Sequence, residues 1–330
     1  MNKRKTAGIL AAAMVLTMTA GTLGVHADEL EKITFVLDWT PNTNHTGLYV
    51  ALEKGYFEEA GLEVEVVQPP EDGAEVLVAA GRAQFGVSFQ DSMAPAISGE
   101  NALPITAVAA IIQHNTSGII SRKGEGMDTP AGMEGHTYAT WNGPIELATL
   151  KQVVEADGGN FDNVELIPST VTDEVSALKT NSVDSIWIFY AWAGVKTELE
   201  GLETDYFAFA DIDSVFDYYT PVIISVDKFL EEHPETAKAF LAALSKGYED
   251  AIADPAAAAE ILCKAAPELD PELVLASQEY LKDQYQAEAE KWGVIDPQRW
   301  NAFYQWVNDN ELTENEIPLD TGFSNAYLPE

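Results

Sequence analysis

Asp38-Trp39-Thr40-Pro41-Asn42-Thr43-Asn44-His45-Thr46-Gly47 is the stretch from which the architecture is read. It follows an apolar run, Ile33 to Leu37, with the length and bounds of a strand. It precedes Leu48-Tyr49-Val50-Ala51-Leu52-Glu53-Lys54-Gly55, whose pattern predicts a helix closed by a glycine C-cap. A carboxylate, an indole, carboxamides and an imidazole therefore stand between the C-terminal end of a strand and the start of a helix. In open α/β sheets that is where ligands bind. The competing reading is a turn in which Asp38, Asn42 and the threonines bond their own backbone.

Downstream, the same alternation repeats. Leu62 to Val67 alternates apolar and acidic residues as a half-buried strand does, and Pro69-Pro70 breaks it. Ala74 to Ala80 reads as helix, Gln84 to Phe89 as strand, and Ile105 to Ile112 as a further strand. Strand and helix in alternation predict a parallel sheet with helical crossovers. Ser117 to Met133 has little regular pattern and reads as a crossing into a second lobe. That lobe has predicted strands at Thr137–Thr140, Val164–Ile167, Ser185–Tyr190 and Asp205–Ala210. Its first helix starts at Pro144, a residue suited to the first helical position. Asp217 to Ile224 reads as the return crossing, and the remainder is helical, with proline near the starts at Pro234, Pro255 and Pro271. The expected fold is α/β in two lobes, each a parallel-rich sheet flanked by helices. Residues 28–117 and 221–330 would form lobe 1, and 118–220 an inserted lobe 2. Such a molecule holds a ligand in the cleft and closes on it.

The N-terminus, with Lys3, Arg4 and Lys5 ahead of a short apolar run ending at Ala27, reads as a secretory signal peptide over residues 1–27. Cys263 is the single cysteine, so no internal disulfide is expected, and no cysteine stands near the cleavage point to carry a lipid. The protein is therefore expected in the periplasm or outside the cell. Formal net charge is −36, and removing a leader with three cations and no acid makes it −39, a field that repels nucleic acid. Arginine in the mature part occurs only at Arg82, Arg122 and Arg299, which disfavours a strongly anionic ligand.

The candidate ligand-binding residues are Asp38, Trp39, Asn42 and His45 from the opening loop, and Gln90 after the third strand. From the second lobe they are Trp141, Asn142, Glu146, Tyr190 and Trp192, with Tyr218 and Tyr219 at the return crossing. Aromatic walls with a few carboxylates and amides suit a flat, nitrogen-rich ring. Plainer readings stand beside these: Tyr218 and Tyr219 as hinge packing, His45 as a satisfied helix-start histidine, and at least one of the neighbouring Trp187 and Phe189 as core. No Walker loop, G-x-S-x-G or H-E-x-x-H is present, and the histidines and cysteine lack metal-ligand spacing. A binding protein without a cofactor, rather than an enzyme, is expected.

The opening loop, Lys54-Gly55-Tyr56-Phe57-Glu58-Glu59-Ala60-Gly61-Leu62 and Trp187-Ile188-Phe189-Tyr190-Ala191-Trp192 resemble the thiamine-precursor (pyrimidine) binding proteins of bacterial ABC importers. The Gly-Tyr-Phe-Glu stretch is shared with receptors for sulfonates, nitrate and riboflavin, and the Asp-Trp-Thr-Pro-Asn loop is the more specific. The resemblance implies a type II periplasmic-binding-protein fold and a monomer that delivers an aminopyrimidine to an ABC permease. Riboflavin or a small sulfonate or nitrogen compound is the alternative ligand. The same superfamily includes the fungal synthase of the thiamine pyrimidine, which carries a Lys and a His four apart after the third strand. Here those positions are Ser88 and Ser92, and without the lysine no Schiff base can form.

Overall fold

A computed structural model describes residues 30–330, apart from 170 and 172. The expected leader lies outside the described residues. Two five-stranded sheets organise the rest. The first has the order β2-β1-β3-β10-β4, built from β1 (Glu31–Val36), β2 (Leu62–Val67), β3 (Phe85–Ser88), β4 (Ile105–Ala110) and β10 (Val222–Val226). The second has the order β7-β6-β8-β5-β9, from β5 (Ser117–Arg122), β6 (Thr137–Thr140), β7 (Glu165–Pro168), β8 (Ser185–Phe189) and β9 (Thr204–Ala208). In each sheet one strand runs against the other four: β10 in the first and β5 in the second. Both are the strands by which the chain enters a sheet from the other lobe, so their direction is set by the crossing.

The segment from Ser117, expected to be irregular, thus begins with a central strand. Its pattern is weak because Ser117, Gly118 and Ser121 interrupt the apolar residues. Gly118 is required there: a Cβ would lie 2.2 Å from the Phe207 carbonyl oxygen. β9 ends at Ala208, two residues short of expectation, and Phe209–Ile212 forms a helical turn. A single π-helical turn, Tyr190–Gly194, follows β8 and was not anticipated. Such turns are frequent at functional sites.

The C-terminal helices do more than cover the first sheet. Tyr248 lies in the helix Pro234–Ala253, and its hydroxyl donates to the Asn44 carbonyl at 2.6 Å. The Tyr285 hydroxyl donates to the Thr43 carbonyl at 2.6 Å, and Thr43 Oγ1 and Ser277 Oγ are 2.6 Å apart. The helix Thr46–Glu53 crosses Pro234–Ala253 at two glycines. A Cβ on Gly47 would lie 2.3 Å from the Tyr248 ring, and one on Gly247 2.0 Å from the Gly47 carbonyl oxygen. The opening loop is therefore clamped from behind by buried tyrosines.

Candidate functional site

The opening loop is built by local hydrogen bonds. Asn42 caps a short 3-10 turn, its side chain accepting from the Asn44 N–H at 2.9 Å, while its amide nitrogen donates to the Thr40 carbonyl. Its own N–H donates to His45 Nδ1 at 3.2 Å. A ring nitrogen that accepts carries no proton, so the proton of His45 is on Nε2. That Nε2 stands 2.6 Å from Asp38 Oδ1 and donates to it. His45 is 1% exposed. It orients Asp38 and does not face the cleft itself. Among the described residues, nothing in the chain donates to Asp38 Oδ2, which is left for the cleft.

A cleft of about 470 Å³ runs between the C-terminal ends of β1 and β3 on one side and β6 and β8 on the other. Of the expected residues it brings together Asp38, Trp39, Asn42, Trp141 and Trp192. Trp39 and Trp141 are 54% and 55% exposed although both are large hydrophobic side chains. They come from opposite lobes. Trp141 leans edge-on against Trp187, with ring centroids 5.3 Å apart. Trp192 also lines the cleft while packing near Leu262 and Val274 of the first lobe, so the π-helical turn ties the lobes together. Phe89 and Phe189 stack across the cleft at 6.0 Å.

The other expected residues have different places. Gln90 is fully buried; its amide donates to the Trp300 carbonyl and its oxygen accepts from the Tyr219 N–H. Glu146 lies under the second-lobe loop rather than in the cleft. It accepts from the Tyr138 hydroxyl (2.8 Å), Thr140 Oγ1 (3.0 Å) and the N–H groups of Trp141 (3.2 Å) and Gly143 (3.0 Å). Burial, then the nearness of Glu146, pushes the Tyr138 hydroxyl pKa far up. Asn142 adopts a left-handed backbone (φ 61°), which asparagine tolerates, and its N–H donates to Thr140 Oγ1. Tyr190 turns away into a separate cavity, against Tyr206 and Tyr280, and donates to Glu198. Tyr218 stacks on Phe303 at 4.1 Å, and the Tyr219 hydroxyl accepts from the Asp296 N–H.

Asp91, Ser92, Phe89, Glu174, Trp187 and Phe189 add further polar and aromatic groups to the lining. Phe89 and Asp91 adjoin Gln90 in sequence, and their place after a strand is the signal that points to them. Glu174 follows a helix N-cap, Asp173, and carries no such signal. Burial raises the Asp91 pKa to about 6. Asp38, Asp91 and Glu174 make the cleft lining acidic, and among the described residues neither lysine nor arginine belongs to it.

Where β4 gives way to β5, His114 stands between Asp217 and Glu288, 2.8 Å from each. The hydrogen bond to Asp217, with a further one to Glu288, raises its pKa to about 8 against the opposing effect of burial. Arg299 approaches both carboxylates.

The chain is 28% identical to the formylaminopyrimidine-binding protein of Halalkalibacterium halodurans over 332 residues, covering 98% of this chain and 99% of that one. It is 25% identical to the 4-amino-5-hydroxymethyl-2-methylpyrimidine phosphate synthase THI11 of Saccharomyces cerevisiae, over 74% of each chain. In structure it is similar to the alkanesulfonate-binding protein SsuA of Xanthomonas axonopodis pv. citri, with a TM-score of 0.67 and 13% identity over 90% of this chain and 99% of that one. That likeness bears on fold: two sheets, two lobes and a cleft between them, the periplasmic-binding-protein arrangement. Residues 42–258, which take in the opening loop from Asn42 onward, every strand but β1 and so the whole second sheet, are matched by the family described as NMT1/THI5 like, and to that family this chain belongs.

Proposed function

We propose that this protein is an exported solute-binding protein that captures an aminopyrimidine thiamine precursor in its interlobe cleft. As a monomer it delivers that ligand to an ABC permease by opening and closing. The carrying observation is the pair of half-exposed indoles, Trp39 and Trp141, presented by opposite lobes to one cleft beside the Asp38–His45 pair. A flat ring between them would bury both, and a carboxylate oxygen beside them accepts N–H donors. The formylaminopyrimidine-binding relative supports the ligand class. The acidic lining argues against a sulfonate, because an anion would meet Asp38, Asp91 and Glu174 with no cation among the described lining residues to offset them.

Binding rather than synthesis is favoured by the third strand. Ser88 stands where the synthase carries its lysine, and its hydroxyl donates to Glu75 at 2.5 Å. A thermal-shift panel separates the ligands. An aminopyrimidine at about 100 times its dissociation constant stabilises the folded state by about 2.7 kcal/mol, which raises the melting temperature by several degrees. A shift with riboflavin or an alkanesulfonate and none with the pyrimidine overturns the proposal.

A further inference from the structure

The cleft contains an acceptor that the fold does not satisfy. Asp91 is the second residue of the helix Gln90–Ser98, directly after β3, and lines the cleft. Its Oδ1 is closed to solvent and has no hydrogen-bond partner. The other buried orphans among the described residues are hydroxyl oxygens, of Ser98, Thr116, Ser117, Thr149 and Thr220; Asp91 supplies the one carboxylate oxygen. A hydroxyl can turn its proton to a neighbour, whereas a carboxylate oxygen can only accept, so it needs a donor from elsewhere. The backbone N–H groups of Asp91 and Ser92 and the Tyr218 hydroxyl act on the carboxylate. The helix start favours negative charge. Burial nevertheless holds the acid at about 6, with Glu75 adding to the rise, so the carboxylate is ionised at neutral pH but poorly solvated. Asp38 differs, since one of its oxygens is already taken by His45.

We infer that Asp91 is a specificity-determining residue whose carboxylate turns Oδ1 out of its closed position on binding to accept an N–H donor of the ligand, and that Tyr218 is the positioning residue behind it. The inference rests on the aminopyrimidine reading and deepens it: the ligand presents two separate N–H groups, one for Asp38 and one for Asp91. A formylaminopyrimidine has both, a ring amino group and a formamide N–H. Tyr218, an expected ligand contact, then acts through Asp91 rather than on the ring.

Calorimetry with formylaminopyrimidine and two analogues tests this, one lacking the ring amino group and one N-methylated at the formamide. The wild type is expected to lose at least ~10-fold in affinity for each analogue. Asp91→Asn is expected to lose a similar factor for the parent ligand, with no further loss for one of the two analogues. Tyr218→Phe is expected to show a smaller loss with the same pattern. A residue that only supports the fold would weaken all three ligands equally. That outcome, or parent binding by Asp91→Asn within twofold of wild type, overturns the inference while leaving the pyrimidine reading intact. Asp91→Ser replaces Asp91→Asn if the latter does not fold. A wild type that binds no aminopyrimidine overturns both.

Discussion

Trp39 and Glu146 show how differently two expected contacts behave. Trp39 is half exposed and contributes little to the core, so Trp39→Ala is expected to leave the melting temperature within about 2 °C of wild type. Loss of ring stacking and of buried area is expected to cost about 1.5–3 kcal/mol of ligand binding by calorimetry. Glu146 is 2% exposed and its carboxylate accepts from four donors. Glu146→Gln puts an amide donor where an acceptor is needed and is expected to cost about 2–3 kcal/mol of stability in denaturant unfolding. Unchanged stability would return Glu146 to the list of ligand contacts. At this scale the sequence was half legible. Residue type and place after a strand picked out Asp38, Trp39, Trp141 and Trp192, because chain direction alone brings those ends to the cleft. They did not distinguish Glu146, Gln90 or Tyr218, whose acceptors and rings are claimed by neighbours distant in sequence, such as Trp300 and Phe303.

The elements that hold the site are held in turn by close crossings. Gly247→Ala would drive a methyl group into the Gly47 carbonyl oxygen, 2.0 Å away, and must part the two helices. A stability loss of about 1–3 kcal/mol is expected, with weakened binding, because the opening loop sits directly before Gly47. The crossing from β4 to β5 carries the pH-sensitive element. His114 faces Asp217 and Glu288, with Arg299 opposing. Its pKa is raised to about 8, so its contribution is fully present below about 6.5 and is lost as pH rises through about 8. With a third of the side chain exposed, that contribution is of order 1 kcal/mol after screening. Melting curves from pH 6 to 9 should show the decline in wild type and a flatter profile in His114→Gln. Strands with clean alternation, such as Leu62–Val67, were legible in full. β5 was not, since a strand buried between two neighbours needs Gly118 and small polar residues that spoil its pattern. The π-helical turn was also hidden, since nothing in the residues around Trp192 foretells its packing against Leu262 and Val274 of the other lobe.

For the whole molecule, the two passages between the sheets, residues 111–116 and 209–221, are proposed as the hinge, with lobe boundaries near 117 and 220. Several contacts span the lobes: Phe89 with Phe189, Tyr190 with Tyr280, and Trp306, whose indole N–H donates to Gln152 at 2.6 Å. The last of these lies in the helix Pro297–Asp309, beside the return passage, so it limits how far the lobes can swing. Small-angle scattering is expected to show a smaller radius of gyration with saturating ligand than without; identical curves would count against closure. The account stands most directly on one measurement, native mass spectrometry of the mature protein incubated with formylaminopyrimidine. It predicts a one-to-one complex heavier than the protein by the intact ligand, which releases the unchanged pyrimidine and unmodified chain on denaturation. No complex at ligand concentrations of hundreds of micromolar, or a ligand recovered at a different mass, would contradict it.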